Sequence, residues 1–339
     1  MPDAKHKRIV ICADGTWNDP EDENPTNALR IARAVKPIGN DGVPQVVFYD
    51  WGVGSYYATI RGGAASLGLL KNVQDSYRFI VQNYREGDEL FLFGFSRGAY
   101  TVRCLAGMLN NCGILKRKNA SEIPQAFDFY KQRNAKPGSQ TAREWRKQHS
   151  GSPRRGAVRF IGVWDTVGAL GVPTRMLAFV DEKDLFFDPI LGSNVHAARH
   201  AVSIDEKRAD LTPTLWDDRD ATNIRQVWFA GVHADVGGGY APSKAGTLAS
   251  EIPLKWMADE AHSFGLQFEP QVTDPSRIDP LAPTHRSHKR FWRVLGTQAR
   301  TIPDDAVVHS SVQHRFESGE YKSAPLQEWL ARTGGNWTL

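Results

Sequence analysis

Cysteine is scarce: the 339 residues hold three, Cys12, Cys104 and Cys112. An odd number leaves at least one thiol unpaired, and reduced, buried thiols in a cytoplasmic compartment are the better reading. No close spacing of His and Cys marks a zinc site, and neither a metal nor another cofactor is expected. Charge of one sign is also lacking. The 42 basic residues face 38 acidic ones, and the balance of +4 is too small to suggest a nucleic-acid partner. No run approaches the roughly 18 apolar residues of a membrane span. The opening MPDAKHKR leads straight into a strand, without the apolar core or cleavage site of a signal peptide. A soluble protein is expected, with export by a signal-independent route left open and membrane-surface contact at most transient. Repeats and low-complexity tracts are absent. What is present, 41% hydrophobic and 24% charged residues, is enough for a sizeable core.

One stretch stands out, Glu89 to Leu109, ELFLFGFSRGAYTVRCLAGML. Leu90 to Phe93 is a short unbroken apolar run, the pattern of a strand buried on both faces of a parallel sheet. Ala99, Val102, Leu105, Ala106 and Leu109 then recur at three- and four-residue intervals, which predicts a helix with one stripe packed on that sheet. Between them Gly94-Phe95-Ser96-Arg97-Gly98 spells G-x-S-x-G, the nucleophile elbow. The serine must sit on a strained turn that lifts its hydroxyl above the sheet, and only glycine fits on either side of it. The bland alternative is a Gly-Ser turn in which Ser96 merely caps the helix.

The rest of the chain alternates strand and helix as a doubly wound sheet requires. Strands are expected at Arg8 to Ala13, Gln45 to Tyr49, Val158 to Trp164 and Arg225 to Ala230, and helices from Asn27, over Val73 to Tyr84 and over Leu254 to Phe264. Lys and Arg cluster between Leu115 and Arg155, a pattern usual for a solvated helix face or linker. Ligands bind at the carboxyl ends of such strands, so the residues there are the candidates. After the first strand come Asp14, Gly15, Thr16, Trp17 and Asn18. Amides near Gly15 and Thr16, with that of Arg97, are candidate oxyanion donors. Equally, Asp14 and Asn18 can simply cap the next helix. The aromatic, glycine-rich loop after the second strand, with Trp51 and Tyr56, is a candidate acyl pocket together with Trp17 and Phe95.

Asp165 ends the fourth strand, where a triad acid belongs; an N-cap is the alternative. His233 follows the fifth strand in GVHADVGGGY and has the task of general base, with Asp235 a candidate orienter. Ser96, Asp165 and His233 stand in the chain order of α/β-hydrolases. The strand before His233 is expected to neighbour the Asp165 strand. His309 is the rival base, and His196 and His200 are weaker ones. Between Pro173 and Trp216 the pattern loosens, and a cap-like insertion is expected at about 171–220, with the sheet core at about 8–115 and 156–265 and a completing segment at 266–339.

ADGTWN, the GVG loop, LFLFGFSRGAYTVR, FIGVWDTVG, SIDEKRADLTPTLW and VWFAGVHADVGGGY together resemble the uncharacterised α/β-hydrolase domain family of bacteria and fungi that includes the catalytic domains of type VI secretion phospholipase effectors. The likeness runs in order from about Arg8 to Tyr240. It implies a single α/β-hydrolase domain, ester substrates that extend to phospholipid acyl chains, and a Ser, Asp, His triad that falls on Ser96, Asp165 and His233. The expected activity is therefore that of a serine esterase or lipase on a small-molecule or lipid ester. A catalytically silent binding module and a peptidase on the same triad are the alternatives.

Overall fold

The computed structural model describes residues 6–15, 18, 21–52, 64–132, 136–151, 157–167, 191–217, 223–286, 297–335 and 337. Strand β1 (Arg8–Ala13) is buried along its whole length, and its side chains divide with a period of two. Ile9, Ile11 and Ala13 join one core layer, Val10 and Cys12 the other. Strand β3 (Glu89–Phe95) divides likewise, with Leu90 and Leu92 against Phe91, Phe93 and Phe95. Strand β4 (Val158–Trp164) carries a bulge where Leu90 pairs with Val158 but Phe91 with Phe160. The extra residue, Arg159, resets the alternation, which is why Val158 and Ile161 share a layer although three positions apart.

Helices cover both layers. On the first lie α2 (Ala64–Asn83), α3 (Arg97–Cys112) and α4 (Ile123–Tyr130). The second takes α1 (Asn27–Ala34) and α7 (Glu251–Ser263). Helix α5 (Gln140–His149) rests on the far end of α3, where Arg146 donates to the carbonyls of Asn110 and Asn111. Its exposed Arg143 and Lys147 are part of a solvated basic face.

Strands β2 (Gln45–Asp50), β5 (Ala198–Ser203), β6 (Ile224–Phe229) and β7 (Val307–Val308) complete a seven-stranded sheet, all parallel, in the order β2-β1-β3-β4-β5-β6-β7. This is an α/β-hydrolase-like doubly wound sheet. The chain steps outward from β1 to β2 and then reverses through β3, so the carboxyl ends of β1 and β3 flank the crevice where such sheets bind ligands. A third apolar cluster holds the far edge. There Trp228 and Val308 meet Val312 of α8 (Ser310–Glu317) and Leu326 and Trp329 of α9 (Ala324–Thr333). Among the described residues no helix is long and apolar enough to cross a membrane.

Two expectations need correction. The stretch 171–220 is not all insertion, because β5 lies within it and sits between β4 and β6. Its sequence, ARHAVS, hides a fully buried strand behind Arg199 and His200, whose polar atoms are satisfied internally. Arg199 bonds Glu260 and the Asn223 carbonyl, and His200 accepts from the amide of Thr166. It follows that the strand before His233 does not neighbour the Asp165 strand, since β5 separates β6 from β4. Residues 168–190 and 218–222, which hold most of the remaining cap-like stretch, lie outside the described residues.

Candidate active site

The elbow explains its own composition. A Cβ on Gly94 would meet the carbonyl oxygen of Gly98 at 2.5 Å, and one on Gly98 would meet that of Ala13 at 2.1 Å. Neither position admits a side chain. Ser96 between them has φ 58° and ψ −120°, a backbone region that non-glycine residues rarely occupy and that is held here by the strand and helix on either side. Its amide donates to the carbonyl of Trp164, which ties the elbow to the end of β4.

Asp165 follows at that same strand end, fully buried and also at positive φ, 42°. Its carboxylate accepts from five donors. Oδ1 takes the Ser203 amide at 2.9 Å and Arg300 Nη1 at 2.6 Å. Oδ2 takes His233 Nδ1 at 2.5 Å, Arg300 Nη2 at 2.9 Å and, more weakly, Ser203 Oγ at 3.3 Å. Burial alone would raise its pKa; the Arg300 charge and the His233 hydrogen bond override burial and hold the carboxyl well below the usual carboxylate range. Asp165 is thus an ion in a dry place.

His233 opens the short helix α6 (His233–Gly237), and three carboxylates collar that helix start. The Gly231 amide donates to Asp205 Oδ2 at 2.8 Å, that of Val232 to Asp235 Oδ2 at 2.9 Å, and that of His233 to Glu206 Oε2 at 3.2 Å. Carboxylates on the first amides of a helix are favoured by both hydrogen bonding and the helix dipole. Glu206 is held down to about 2: burial opposes ionisation, and the Arg208 guanidinium outweighs it. Burial pushes Asp205 up, against hydrogen bonds that include the Tyr321 hydroxyl. The Phe95 ring, one residue before Ser96, lies on the His233 ring at 4.6 Å between centroids. A Cβ on Gly237 would strike that same Phe95 ring, so α6 seats directly on the elbow. The structure therefore brings Asp165 and His233 into direct contact and sets the imidazole beside the turn that carries Ser96.

Of the oxyanion candidates, Arg97 begins α3 immediately after Ser96, and its guanidinium is lowered to about 10 by burial. Gly15 lies against Ser96, where an added Cβ would be 3.2 Å from Ser96 Cβ. Its amide, however, donates to its own neighbour, Asp14 Oδ1, at 2.8 Å, which corrects the expectation that this N–H faces a substrate oxygen. Asp14 also accepts from Asn18, Thr26 and Tyr49, and burial raises its pKa. The capping alternative for Asp14 is met only indirectly: Thr26 is the N-cap of α1, and Asp14 holds its hydroxyl. Thr16, Trp17 and Tyr56 lie outside the described residues. Trp51 is 45% exposed, in the loop whose Gly52 abuts Gly15.

The other histidines have different work. His309 caps α8 by accepting from Ser311, stacks on Phe229 and is held down to about 4 by burial. His196 meets Phe264 edge-on before β5 begins. His200 supports the loop after Asp165 through the Thr166 amide. Asp235, besides serving α6, binds His285 Nδ1 at 2.7 Å. No group of three or more His, Cys, Asp or Glu side chains placed to hold a metal occurs among the described residues. Arg300 and Ser203 carry no mark in the sequence that singles them out for the site; Ser203 at least opens the SIDEKRADLTPTLW segment, whereas Arg300 sits in no motif.

Residues 7–260 match the model of the family described as type VI secretion system, phospholipase effector Tle1-like, catalytic domain. An uncharacterized protein of Saccharomyces cerevisiae, YEL023C, is 26% identical over an alignment of 225 residues, with 60% of this chain and 31% of that protein covered. Among solved structures, an uncharacterized protein from Pseudomonas aeruginosa aligns with 97% of this chain and 53% of its own at 17% identity and a TM-score of 0.47. The Tle1 effector bound to the VgrG spike of the type 6 secretion system aligns with 70% of this chain and 52% of its own at 17% identity and a TM-score of 0.38. The esterase Est2 of Thermogutta terrifontis aligns with 77% of this chain and 82% of its own at 12% identity and a TM-score of 0.41. The chain thus spans about a third of the yeast protein and about half of the first two structures.

Proposed function

This chain belongs to the Tle1-like phospholipase effector catalytic domain family, and from that premise we propose that it is a serine hydrolase of carboxylic esters, phospholipid acyl esters among them, working through an acyl-enzyme on Ser96. The observation that carries the reading is the pairing of a strained elbow serine with a buried Asp165–His233 hydrogen bond on the same edge of the sheet. In this mechanism the ionised Asp165 accepts from His233 Nδ1, which leaves Nε2 as the base for the Ser96 hydroxyl. Attack on the ester carbonyl gives a tetrahedral oxyanion, and the amide of Arg97 is the donor that receives it. Because the Gly15 amide is committed to Asp14, Thr16 remains as the second donor of the two expected from the sequence. Collapse releases the alcohol with the proton taken by His233, and water then repeats the cycle to free the acid.

The test is a fluorophosphonate probe, which should label the wild type at Ser96 and leave Ser96→Ala unlabelled. Hydrolysis of p-nitrophenyl esters of graded chain length, beside a phospholipid and an anilide, then separates esterase, phospholipase and peptidase. Folded protein that takes no label would favour a binding module instead.

A further inference from the structure

We infer that Arg300 is a positioning residue for the Asp165–His233 pair: gripping the carboxylate with both ends of its guanidinium, it lowers the proton affinity of the imidazole and extends the working range of the base toward acid pH. The inference rests on the reading of His233 as the base. Both groups are almost wholly removed from water, Asp165 at 0% and the Arg300 side chain at 3% exposure. The geometry is two-pronged, Nη1 to Oδ1 at 2.6 Å and Nη2 to Oδ2 at 2.9 Å, and Oδ2 is the same atom that receives His233 Nδ1. The guanidinium is fixed from behind as well. Nη1 also donates to the carbonyl and hydroxyl oxygens of Ser203, and Nη2 to the carbonyl of Leu211.

A carboxylate paired only with histidine favours the imidazolium by its full negative charge. Here a fixed positive charge already sits on that carboxylate. Protonating His233 would place a second cation beside the same two oxygens, in surroundings where charges are poorly screened. Compared with the same pair lacking the guanidinium, the neutral imidazole, the form able to take the serine proton, is thereby favoured. The other charged groups around the pair stay in place when Arg300 is changed, so the effect of Arg300 is read as a difference. Glu206, which faces the His233 amide, is paired with Arg208 and still acts on His233 through its charge. On α6 itself Asp235 is engaged by His285 and the Val232 amide, and Asp205 by the Gly231 amide and Tyr321. His200, on β5, is held down to about 3 by burial and then by Arg103, and so adds no charge near neutrality.

Two readouts separate this inference from the functional reading beneath it. In a Ser96→Ala background, the His233 ring is titrated by 15N NMR with Arg300 native or changed to Met, Gln or Lys. Loss of the charge should raise the His233 midpoint by about one to two pH units. Arg300→Gln keeps an amide to bond Asp165 or Leu211 and serves where Arg300→Met does not fold. With Ser96 intact, the acid limb of kcat/KM against pH should move the same way. Below the limb the neutral variants then lose about tenfold for each pH unit by which it has moved, and they recover as pH rises. Arg300→Lys, which keeps the charge, should return the limb toward its original place. Loss of activity at every pH with an unmoved limb and an unmoved midpoint would overturn the inference and leave Arg300 a packing residue. Wild-type protein that turns over no ester would overturn the functional reading instead, and the NMR midpoint would still decide Arg300.

Discussion

Replacing Asp165 with asparagine is the substitution with the most to say about this site, because the structure fixes which way the new amide must turn. Oδ1 faces the Ser203 amide and Arg300 Nη1, and Oδ2 faces His233 Nδ1 and Arg300 Nη2. An asparagine NH2 group meets donors on either side. A backbone amide and a guanidinium cannot become acceptors, whereas an imidazole can do so by shifting its proton to the other nitrogen. The NH2 group should therefore face His233 and hold it in the tautomer whose Nε2 carries the proton, useless as a base. That error costs about ten-thousandfold in kcat in a triad of this kind, or about 5.5 kcal/mol of barrier. Stability should fall as well. Arg300 loses its counter-ion while fully buried, and breaking such a pair from one side costs about 3–5 kcal/mol. The assay is kcat for a p-nitrophenyl ester on enzyme counted by active-site titration, beside a urea denaturation curve. A folded Asp165→Asn variant that keeps more than about a tenth of its activity would refute the reasoning and shift attention to Glu206 or Asp205.

Two further outcomes follow from the same geometry. His233→Ala should lose as much turnover as Ser96→Ala, with the double variant no worse than either, because triad members act as a unit; His309→Ala, which removes only a helix cap and a ring stacked on Phe229, should keep most of its activity, and the opposite pattern in an ester assay would exchange their roles. Burial, with Arg103 next, holds His200 down to about 3 from its ordinary 6.5; the unfolded chain takes that proton first, so stability present above 6.5 is lost as pH falls, by up to about 1.4 kcal/mol for each pH unit across the window. His200→Gln should flatten the fall in urea midpoint between about pH 6.5 and 4, with His309, held near 4, and Glu206, held near 2, among the groups that shape what slope remains.

Much of this fold was legible because its strands are apolar and its turns are specific. Four of the six longer strands, β1 to β4, were marked by apolar runs such as IVICA and FIGVW, and β6 by its aromatic end, and the elbow glycines meant in the structure what they meant in the sequence. Strand β5 was not legible. Polarity at Arg199 and His200 reads as surface until Glu260, Asn223 and Thr166 are seen to satisfy it. Missing that strand also misplaced β6, since without β5 it looks like the next neighbour of β4. Asp165 and His233 could be chosen because both sit just beyond strand ends. The use of the Gly15 amide could not, because a backbone donor carries no sequence mark and Asp14 is close enough to claim it. Arg300 had no spacing to betray it.

What joins these parts is the segment that leaves the hidden strand. From β5 the chain passes through Ser203, whose amide holds Asp165, then Asp205 and Glu206, which hold the amides of Gly231 and His233. Leu211 then presents its carbonyl to Arg300. The later part of the chain reaches the same segment, where the Gln298 amide donates to the Lys207 carbonyl and Thr297 bridges to Arg208, and this docking is what delivers Arg300 two residues further on. Asp165, His233 and Arg300 are thus registered against one another through a single stretch of backbone, not through three independent loops. The family match ends at residue 260, yet the cation paired with Asp165 arrives from beyond it. A chain ending at residue 260 would expose the apolar cluster that α8 and α9 cover and would leave a carboxylate buried in the core without its cation. The segment from Thr297 onward therefore supplies a charge to the candidate site as well as cover for the sheet edge.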